Sequence, residues 1–327
     1  MARSVLPDDK VAGLRHLQSL GLKVPPFAVM KASEANSHKA RSTLERLSIP
    51  NSVGDRIGLV VRCSSSTKHP RDLPRSPLHL QDPVEIITWI IKLAGIVDED
   101  DDLILQHVVD ARASGTILAD DKVIVEVITG DAPELLEGRS RGNETWTYNR
   151  QGSFSLWIEG SQRILHDNDL EEFESVIFKL PSKAYLEWSL SKIGILYCYE
   201  YDDFNFLMGE FEELPRKLHQ RCDFVGLGAC QGEGEGILRL VKSSDDFSRI
   251  QKGDIVVIQF AGREFSSFLS NVSAVVTENG GITSHGAILA REYGVPCVVQ
   301  VKDALKVLPD GRRALVDGTR GTVTLLE

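Results

Sequence analysis

The stretch Ala274–Arg291, AVVTENGGITSHGAILAR, decides the fold of the C-terminal part of the chain. It begins with an apolar run typical of a buried strand, turns at a pair of glycines, and then shows the apolar spacing of a helix. The pattern predicts that the helix opens at Thr283 or Ser284. His285 is therefore predicted to lie in the first turn of a helix that follows a strand.

A histidine in this position is suited to carry a phosphoryl group. The first turn of a helix has backbone N–H groups without an intrahelical partner, and the helix dipole places partial positive charge there. Such a site holds anions and favours the neutral, nucleophilic imidazole. Gly280 and Gly281 leave room for a polyphosphate to approach, and Thr283 and Ser284 complete the predicted phosphate loop. The alternative is a histidine that only caps a helix after a glycine-rich turn.

Composition argues against several classes of function. The chain has 327 residues, enough for two or three domains, and its formal net charge of -10 argues against nonspecific nucleic-acid binding. The sequence has no apolar run near the roughly 20 residues that span a bilayer and no signal-peptide core at its start, so we expect a cytoplasmic protein without a membrane partner. The five cysteines are scattered and form no CxxC pair, which predicts free thiols.

Residues 280–296 resemble the phosphohistidine signature of the phosphoenolpyruvate-utilising enzymes, which include pyruvate phosphate dikinase, phosphoenolpyruvate synthase and rifampicin phosphotransferase. The similarity covers roughly residues 222–327, because Lys252–Val257 and residues 310–323 also resemble elements of that family. It implies a swivelling β/β/α domain in which His285 shuttles phosphoryl groups between separate active sites.

Residues 1–203 resemble, more weakly, the ATP-grasp nucleotide-binding domain of the same enzymes. Lys10 and Arg62 match positions that contact ATP phosphates in the family. Two strands joined by a turn are predicted to bring Glu187 and Glu200 together, and paired carboxylates beside a triphosphate suit Mg²⁺. The resemblance implies that ATP is a substrate and that these two glutamates are ligands of the metal or the nucleotide.

Three carboxylates depart from the family pattern in the predicted nucleotide site. Asp8 and Asp9 replace two glycines before Lys10, and Asp202 stands where the family has an arginine. Carboxylates beside a triphosphate are repulsive unless they face away or meet a metal. A second interpretation is therefore a degraded nucleotide site, in a binding or regulatory subunit or a carrier phosphorylated in trans.

The predicted fold class is α+β and α/β, with a compact ATP-grasp-like domain over residues 1–203, a linker at 204–221 and a swivelling phosphohistidine domain over 222–327. The glycine-rich residues 226–236 are predicted to form a flexible lead-in to the second domain. The predicted activity is that of a dikinase-type phosphotransferase. His285 takes the β-phosphoryl group of ATP, AMP is formed, and an acceptor receives the phosphoryl group; ligation is an open alternative outcome. Because the linker is short, we expect the acceptor, a small molecule or a protein, to bind at the first domain or at a partner subunit.

Overall fold

The computed structural model describes residues 10–47, 56–65, 73–119, 122–130, 144–149, 153–159, 163–202, 223–260 and 266–326. The chain forms two compact units. The first unit comprises Met1–Ser114, Thr129–Asp131 and Leu165–Asp203, and the second comprises Gly115–Ile128, Ala132–Ile164 and Phe204–Glu327. The predicted domain boundaries remain a prediction, since the linker at 204–221 lies outside the described residues.

The helices of the described ranges are short. They are α1 (Lys10–Ser19), α2 (Ser37–Leu47), α3 (Pro83–Ala94), α4 (Asp167–Lys179), α5 (Ser266–Leu269), α6 (His285–Tyr293) and α7 (Ala304–Val307). A 3₁₀ turn at Ala32–Glu34 precedes α2. Within the described ranges, no helix combines the length and apolar content needed to cross a bilayer.

The strands make up most of the regular structure. They are β1 (Phe27–Lys31), β2 (Arg56–Ser64), β3 (Asp102–Val109), β4 (Ala111–Ala119), β5 (Lys122–Thr129), β6 (Glu144–Asn149), β7 (Ser153–Glu159), β8 (Ala184–Ser191), β9 (Leu196–Asp202), β10 (Phe224–Val225), β11 (Leu227–Cys230), β12 (Glu233–Val241), β13 (Ile255–Ile258), β14 (Ala274–Thr277), β15 (Cys297–Val299), β16 (Arg313–Asp317) and β17 (Thr322–Leu325).

The first unit contains an antiparallel sheet of order β1-β3-β2 with helices on both faces. The central strand β3 is apolar on both sides because alternate residues meet different helices. Leu103 and Leu105 pack in a core with α2 and α3, while Ile104 packs against Val11 and Leu14 of α1. Strands β8 and β9 form an antiparallel hairpin in the same unit. These elements position the predicted nucleotide-binding residues.

The second unit contains a sheet of order β10-β17-β16-β12-β13-β14-β15-β11. Strands β12, β13, β14 and β15 run parallel to their neighbours in that group, and the remaining pairs are antiparallel. At one edge, β10 pairs with β17, and the N–H of Leu325 donates to Oδ2 of Asp223 at 2.7 Å. Strands β5, β6 and β7, also in this unit, form an antiparallel meander.

Helix α6 connects the parallel strands β14 and β15. The stretch Ala274–Arg291 therefore belongs to a β-α-β crossover. Strand β14 is buried along its whole length because it lies in the interior of the sheet. The helix ends at Gly294, which adopts the left-handed conformation with φ of 66°. The strand, glycine turn and helix predicted for residues 274–291 are thus confirmed.

The flexible lead-in predicted for residues 226–236 is wrong. The segment forms β11 and the start of β12, and Gly234 and Gly236 lie opposite Val316 and Ala314 in the register with β16. An added Cβ at Gly234 would lie 2.2 Å from the backbone oxygen of Ser273. These glycines therefore permit close packing of strands rather than flexibility.

The four described cysteines, Cys63, Cys198, Cys230 and Cys297, are free and buried. This confirms the prediction of free thiols for those four, while Cys222 lies outside the described residues. Burial raises the pKa of the Cys198 and Cys297 thiols to about 12. These two thiols stay protonated and pack as small apolar groups.

Candidate functional site

The loop between β14 and α6 makes His285 the first residue of the helix. The N–H of Ser284 donates to the carbonyl oxygen of Gly281 at 3.1 Å, and the N–H of Ile288 donates to that of Ser284 at 3.0 Å. Gly280 has a φ of 96°, a conformation that favours glycine. The start of α6 lies at the carboxyl end of a parallel strand, where open α/β sheets bind ligands.

Glu126 of strand β5 is hydrogen-bonded to this loop. Its Oε1 accepts a bond from the N–H of Ile282 at 2.7 Å, and its Oε2 accepts one from the N–H of Thr283 at 2.9 Å and another from the Thr283 hydroxyl. A Cβ on Gly281 would lie 2.2 Å from Oε1 of Glu126. The room that the glycine leaves is therefore filled by the carboxylate of Glu126.

The loop and Glu126 are enclosed in the interior of the second unit. Glu126 is fully buried, and the exposed fractions of Thr283 and Ser284 are 2% and 4%. The hydroxyl oxygens of Thr116 and Thr283 are 2.5 Å apart. Burial raises the pKa of Glu126, while the hydrogen bonds from Thr283 and Ile282 and the charge of Arg291 act in the opposite direction.

Arg291, six residues after His285 in α6, reaches back to the same loop. Its Nη2 donates to the carbonyl oxygen of Ile282 at 2.6 Å, and only 4% of the residue is exposed. Among the described residues, its Nη1 has no hydrogen-bond partner. Burial lowers the pKa of the guanidinium, while the neighbouring Cys230 and Cys297 and, after them, Glu126 act in the opposite direction.

The first unit brings Lys10, Arg62 and Glu200 together. Oε2 of Glu200 accepts a hydrogen bond from Nζ of Lys10 at 3.2 Å and another from Nη2 of Arg62. The exposed fractions of the three side chains are 13%, 14% and 15%, in the order Lys10, Arg62 and Glu200. Burial lowers the pKa of Lys10, and the charge of Glu200 opposes this shift. The three side chains meet because Lys10 on α1 and Arg62 on β2 both reach the carboxylate of Glu200 on β9.

Glu187 on β8 lies directly opposite Glu200 on β9 in the strand register. The phenol of Tyr185 donates to Oε1 of Glu187 at 3.1 Å. This register confirms the predicted convergence of the two glutamates. Their role as metal or nucleotide ligands stays a prediction. Within the described ranges, no three or more His, Cys, Asp and Glu side chains group as a metal site.

Gln106 on β3 joins the cluster of the first unit. Its Oε1 accepts a bond from Nη1 of Arg62 at 3.1 Å, and the residue is fully buried. In the described part of the chain, its Nε2 has no hydrogen-bond partner. A buried amide donor without an acceptor fits a site that receives a phosphate or other ligand oxygen.

The structure describes only one of the three carboxylate residues that depart from the family pattern. Asp8 and Asp9 lie outside the described residues. Asp202 ends β9 opposite Tyr185 in the register, and its side chain is not among the described ones.

The crossover that begins α6 with His285 lies inside a match to a known protein family. Residues 250–321 match the family model described as the mobile domain of PEP-utilising enzymes. The chain is 32% identical over 174 residues to the phosphoenolpyruvate synthase of Pyrococcus furiosus, which covers 51% of this chain and 21% of that protein. It is 39% identical over 102 residues to the rifampicin phosphotransferase of Bacillus cereus, which covers 31% of this chain and 12% of that protein.

The chain thus spans only part of the phosphoenolpyruvate synthases that it matches, 23% in Archaeoglobus fulgidus, 21% in Pyrococcus furiosus and 37% in Methanothermobacter thermautotrophicus. Among solved structures, D-alanyl-alanine synthetase A from Vibrio cholerae is similar over 65% of this chain and 59% of that chain. The TM-score is 0.39 and the identity 12%, so this likeness carries no assignment. The predicted fold class of mixed helices and sheets is confirmed.

Sequence reasoning did not assign a role to Glu126, Thr116, Gln106 or Arg291. The signal for Glu126 is a single carboxylate inside the apolar run 123–128, because a buried charge requires partners. Its partners are 156 and 157 residues away along the chain, and no local pattern identifies them.

Proposed function

We propose that the chain is an ATP-dependent, dikinase-type phosphotransferase in which His285 takes the β-phosphoryl group of ATP. The observation that carries this proposal is that His285 is the first residue of α6 within the segment that matches the mobile domain. The names of the relatives, phosphoenolpyruvate synthase and rifampicin phosphotransferase, support phosphoryl transfer as the chemistry.

The proposed relay has three steps. An imidazole nitrogen of His285 attacks the β-phosphorus, the bond from that phosphorus to the oxygen shared with the α-phosphorus breaks, and AMP leaves. Water then removes the γ-phosphate as inorganic phosphate. An acceptor oxygen finally takes the remaining phosphoryl group, which frees the imidazole. Splitting one difficult transfer into easier steps is the advantage of a covalent intermediate.

The cluster of the first unit is the proposed site of the triphosphate. Lys10 and Arg62 supply positive charge, and Nε2 of Gln106 supplies a donor that lacks an acceptor. Mg²⁺ would be held by Glu187 and Glu200, which face each other in the register. When bound, the metal offsets negative charge on the phosphates. Hard carboxylate oxygens beside two cations fit a magnesium triphosphate, with Glu200 exchanging its cations for the metal.

The test is the intact mass of the chain after incubation with magnesium-ATP, with AMP assayed in the same tube. We expect a gain of one phosphoryl or pyrophosphoryl group together with AMP. His285→Ala should abolish the gain, whereas His38→Ala, at an exposed position on α2, should retain it. A His285→Ala chain that still acquires the phosphoryl group would contradict the proposal.

One observation favours the second candidate, a carrier or regulatory subunit with a degraded nucleotide site. Glu200 already accepts hydrogen bonds from both Lys10 and Arg62, so the cations that a triphosphate needs are engaged by a carboxylate. Magnesium-ATP separates the two candidates because a ligand of the folded state raises the melting temperature. The enzyme predicts a rise with AMP formation, and the degraded site predicts neither.

A further inference from the structure

The loop before His285 presents a set of oxyanion donors. The N–H groups of Ile282 and Thr283, with the Thr283 hydroxyl, converge on the two oxygens of one carboxylate. Successive backbone N–H groups that form a concave nest bind anions, including phosphate. In this structure, the anion in the nest is the side chain of Glu126.

Arg291 is an independent sign that the loop is built for an anion. The residue is 96% buried, its Nη2 is bonded to the carbonyl of Ile282, and Nη1 has no partner among the described residues. A buried guanidinium with an unused donor is unfavourable unless an acceptor completes its hydrogen bonds, and an anion oxygen is the strongest such acceptor. The unused donor thus belongs to Arg291, which donates to the carbonyl oxygen of Ile282. The N–H of the same Ile282 donates to Glu126.

Gly281 leaves no side chain of its own between the loop backbone and the Glu126 carboxylate. Any larger residue there would place a Cβ 2.2 Å from Oε1 of Glu126. The loop backbone is therefore bare where the carboxylate sits, and a tetrahedral oxyanion can approach the same N–H groups.

We propose that these donors and Arg291 form a binding site for a phosphate oxyanion, and that Glu126 is its resident internal anion, which the phosphate displaces. The ligand is either the phosphoryl group carried by His285, a source that rests on the proposed function, or free inorganic phosphate. Exchange of one anion for another keeps the donors satisfied. A carboxylate that loses its donors and stays buried favours its neutral form, so we expect displacement to be coupled to proton uptake by Glu126.

The first experiment titrates inorganic phosphate into the full chain and into Glu126→Gln. The amide keeps the size of the side chain and removes the competing charge, so we expect phosphate to bind about tenfold more tightly, equivalent to roughly 1.4 kcal/mol. Glu144→Gln is the matched control. Glu144 is also fully buried in the second unit, but it accepts a bond from Nε1 of Trp146 at 2.8 Å. We expect the Glu144→Gln variant to bind phosphate with the same affinity as the unmodified chain.

Two further measurements test where the phosphate binds and whether it is carried by His285 or comes from solution. Adding Arg291→Gln to Glu126→Gln should remove the gain in affinity, and phosphate should shift the amide resonances of Ile282 and Thr283. For the carried phosphoryl group, the chain is phosphorylated with phosphoramidate, in which the P–N bond breaks, ammonia leaves and a bond to imidazole nitrogen forms. Shifts of the same two amides that vanish in His285→Ala identify His285 as a source; shifts with inorganic phosphate alone identify free phosphate.

The proposal is overturned if Glu126→Gln and Glu144→Gln bind phosphate within twofold of each other, or if the gain survives Arg291→Gln. If Glu126→Gln fails to fold at ordinary temperature, phosphate should raise the melting temperature of Glu126→Ala more than that of Glu144→Ala, and equal rises would also overturn it. These arms contain no ATP, so they stand apart from a failure of magnesium-ATP to label the chain.

Discussion

Glu200 in the first unit and Glu126 in the second both occupy donors suited to phosphate, but they are compensated in different ways. Glu200 is held by the side-chain cations Lys10 and Arg62 and keeps 15% of its side chain exposed. Glu126 is held chiefly by backbone N–H groups and is fully buried. A site made of side chains depends on charge, whereas a site made of backbone depends on the shape of the loop.

This difference has consequences for substitution. Removing one cation at Glu200 leaves a carboxylate that water can partly solvate. Distorting the loop at Glu126 leaves a buried carboxylate without donors, which water cannot reach. The two sites should therefore respond differently to backbone and side-chain changes.

Gly281→Ala should give the largest effect on stability. The added Cβ meets the Glu126 carboxylate at 2.2 Å, and overpacking of this kind lowers the free energy of unfolding by about 3 kcal/mol. Urea denaturation measures it. Gly95→Ala is the control, because its nearest neighbour would be at 3.5 Å and its φ is −78°. If the double variant with Glu126→Ala loses as much as the sum of the single changes, the clash is not with Glu126.

Arg62→Ala tests the site made of side chains. We expect affinity for magnesium-ATP to fall by about 2 kcal/mol, the size of a hydrogen bond to a charged group, while the fold is retained. Calorimetric titration measures it. Arg112→Ala, which breaks an ion pair with Asp169 in the same unit, should leave ATP affinity unchanged. If the two variants lost the same affinity for magnesium-ATP, Arg62 would have no specific role in binding the nucleotide.

Thr116→Val should have a smaller effect. The change removes the hydrogen bond to the Thr283 hydroxyl and should lower the free energy of unfolding by about 1 kcal/mol. Thr147→Val is the comparison, because its bond to Ser155 is exposed and 3.5 Å long. A loss at Thr147 equal to that at Thr116 would show that the buried contact adds nothing.

The pH dependence of stability is the most subtle expectation, because donors partly offset burial at Glu126. Since burial raises the pKa of Glu126 in the folded state, its contribution is fully present below the pKa of the unfolded chain and is lost as pH rises through the folded pKa. Glu126→Gln should remove this loss of stability with rising pH. Urea denaturation across a pH series gives the difference, and parallel curves for the two chains would refute it.

The strand, glycine turn and helix around His285 could be predicted because each rests on a local pattern of apolar spacing and turn residues. The convergence of Glu187 and Glu200 could also be predicted, since a hairpin pairs residues close in sequence. The glycines at 234 and 236 misled the prediction because their role, close contact with Ser273 and Gly253, depends on strands distant in sequence. The contact of Glu126 with Thr283 was out of reach for the same reason.

The pairing of β10 with β17 has a consequence for how this fold can be used. Phe224 lies opposite Val323, so the C-terminal sheet begins and finishes at neighbouring positions on one edge. A fold whose first and last strands adjoin can be spliced into a host polypeptide without redirecting the host chain, and its ends can be joined and reopened elsewhere by circular permutation. Such portability suits a module of about the size of the 102-residue alignment, which covers only 12% of one relative.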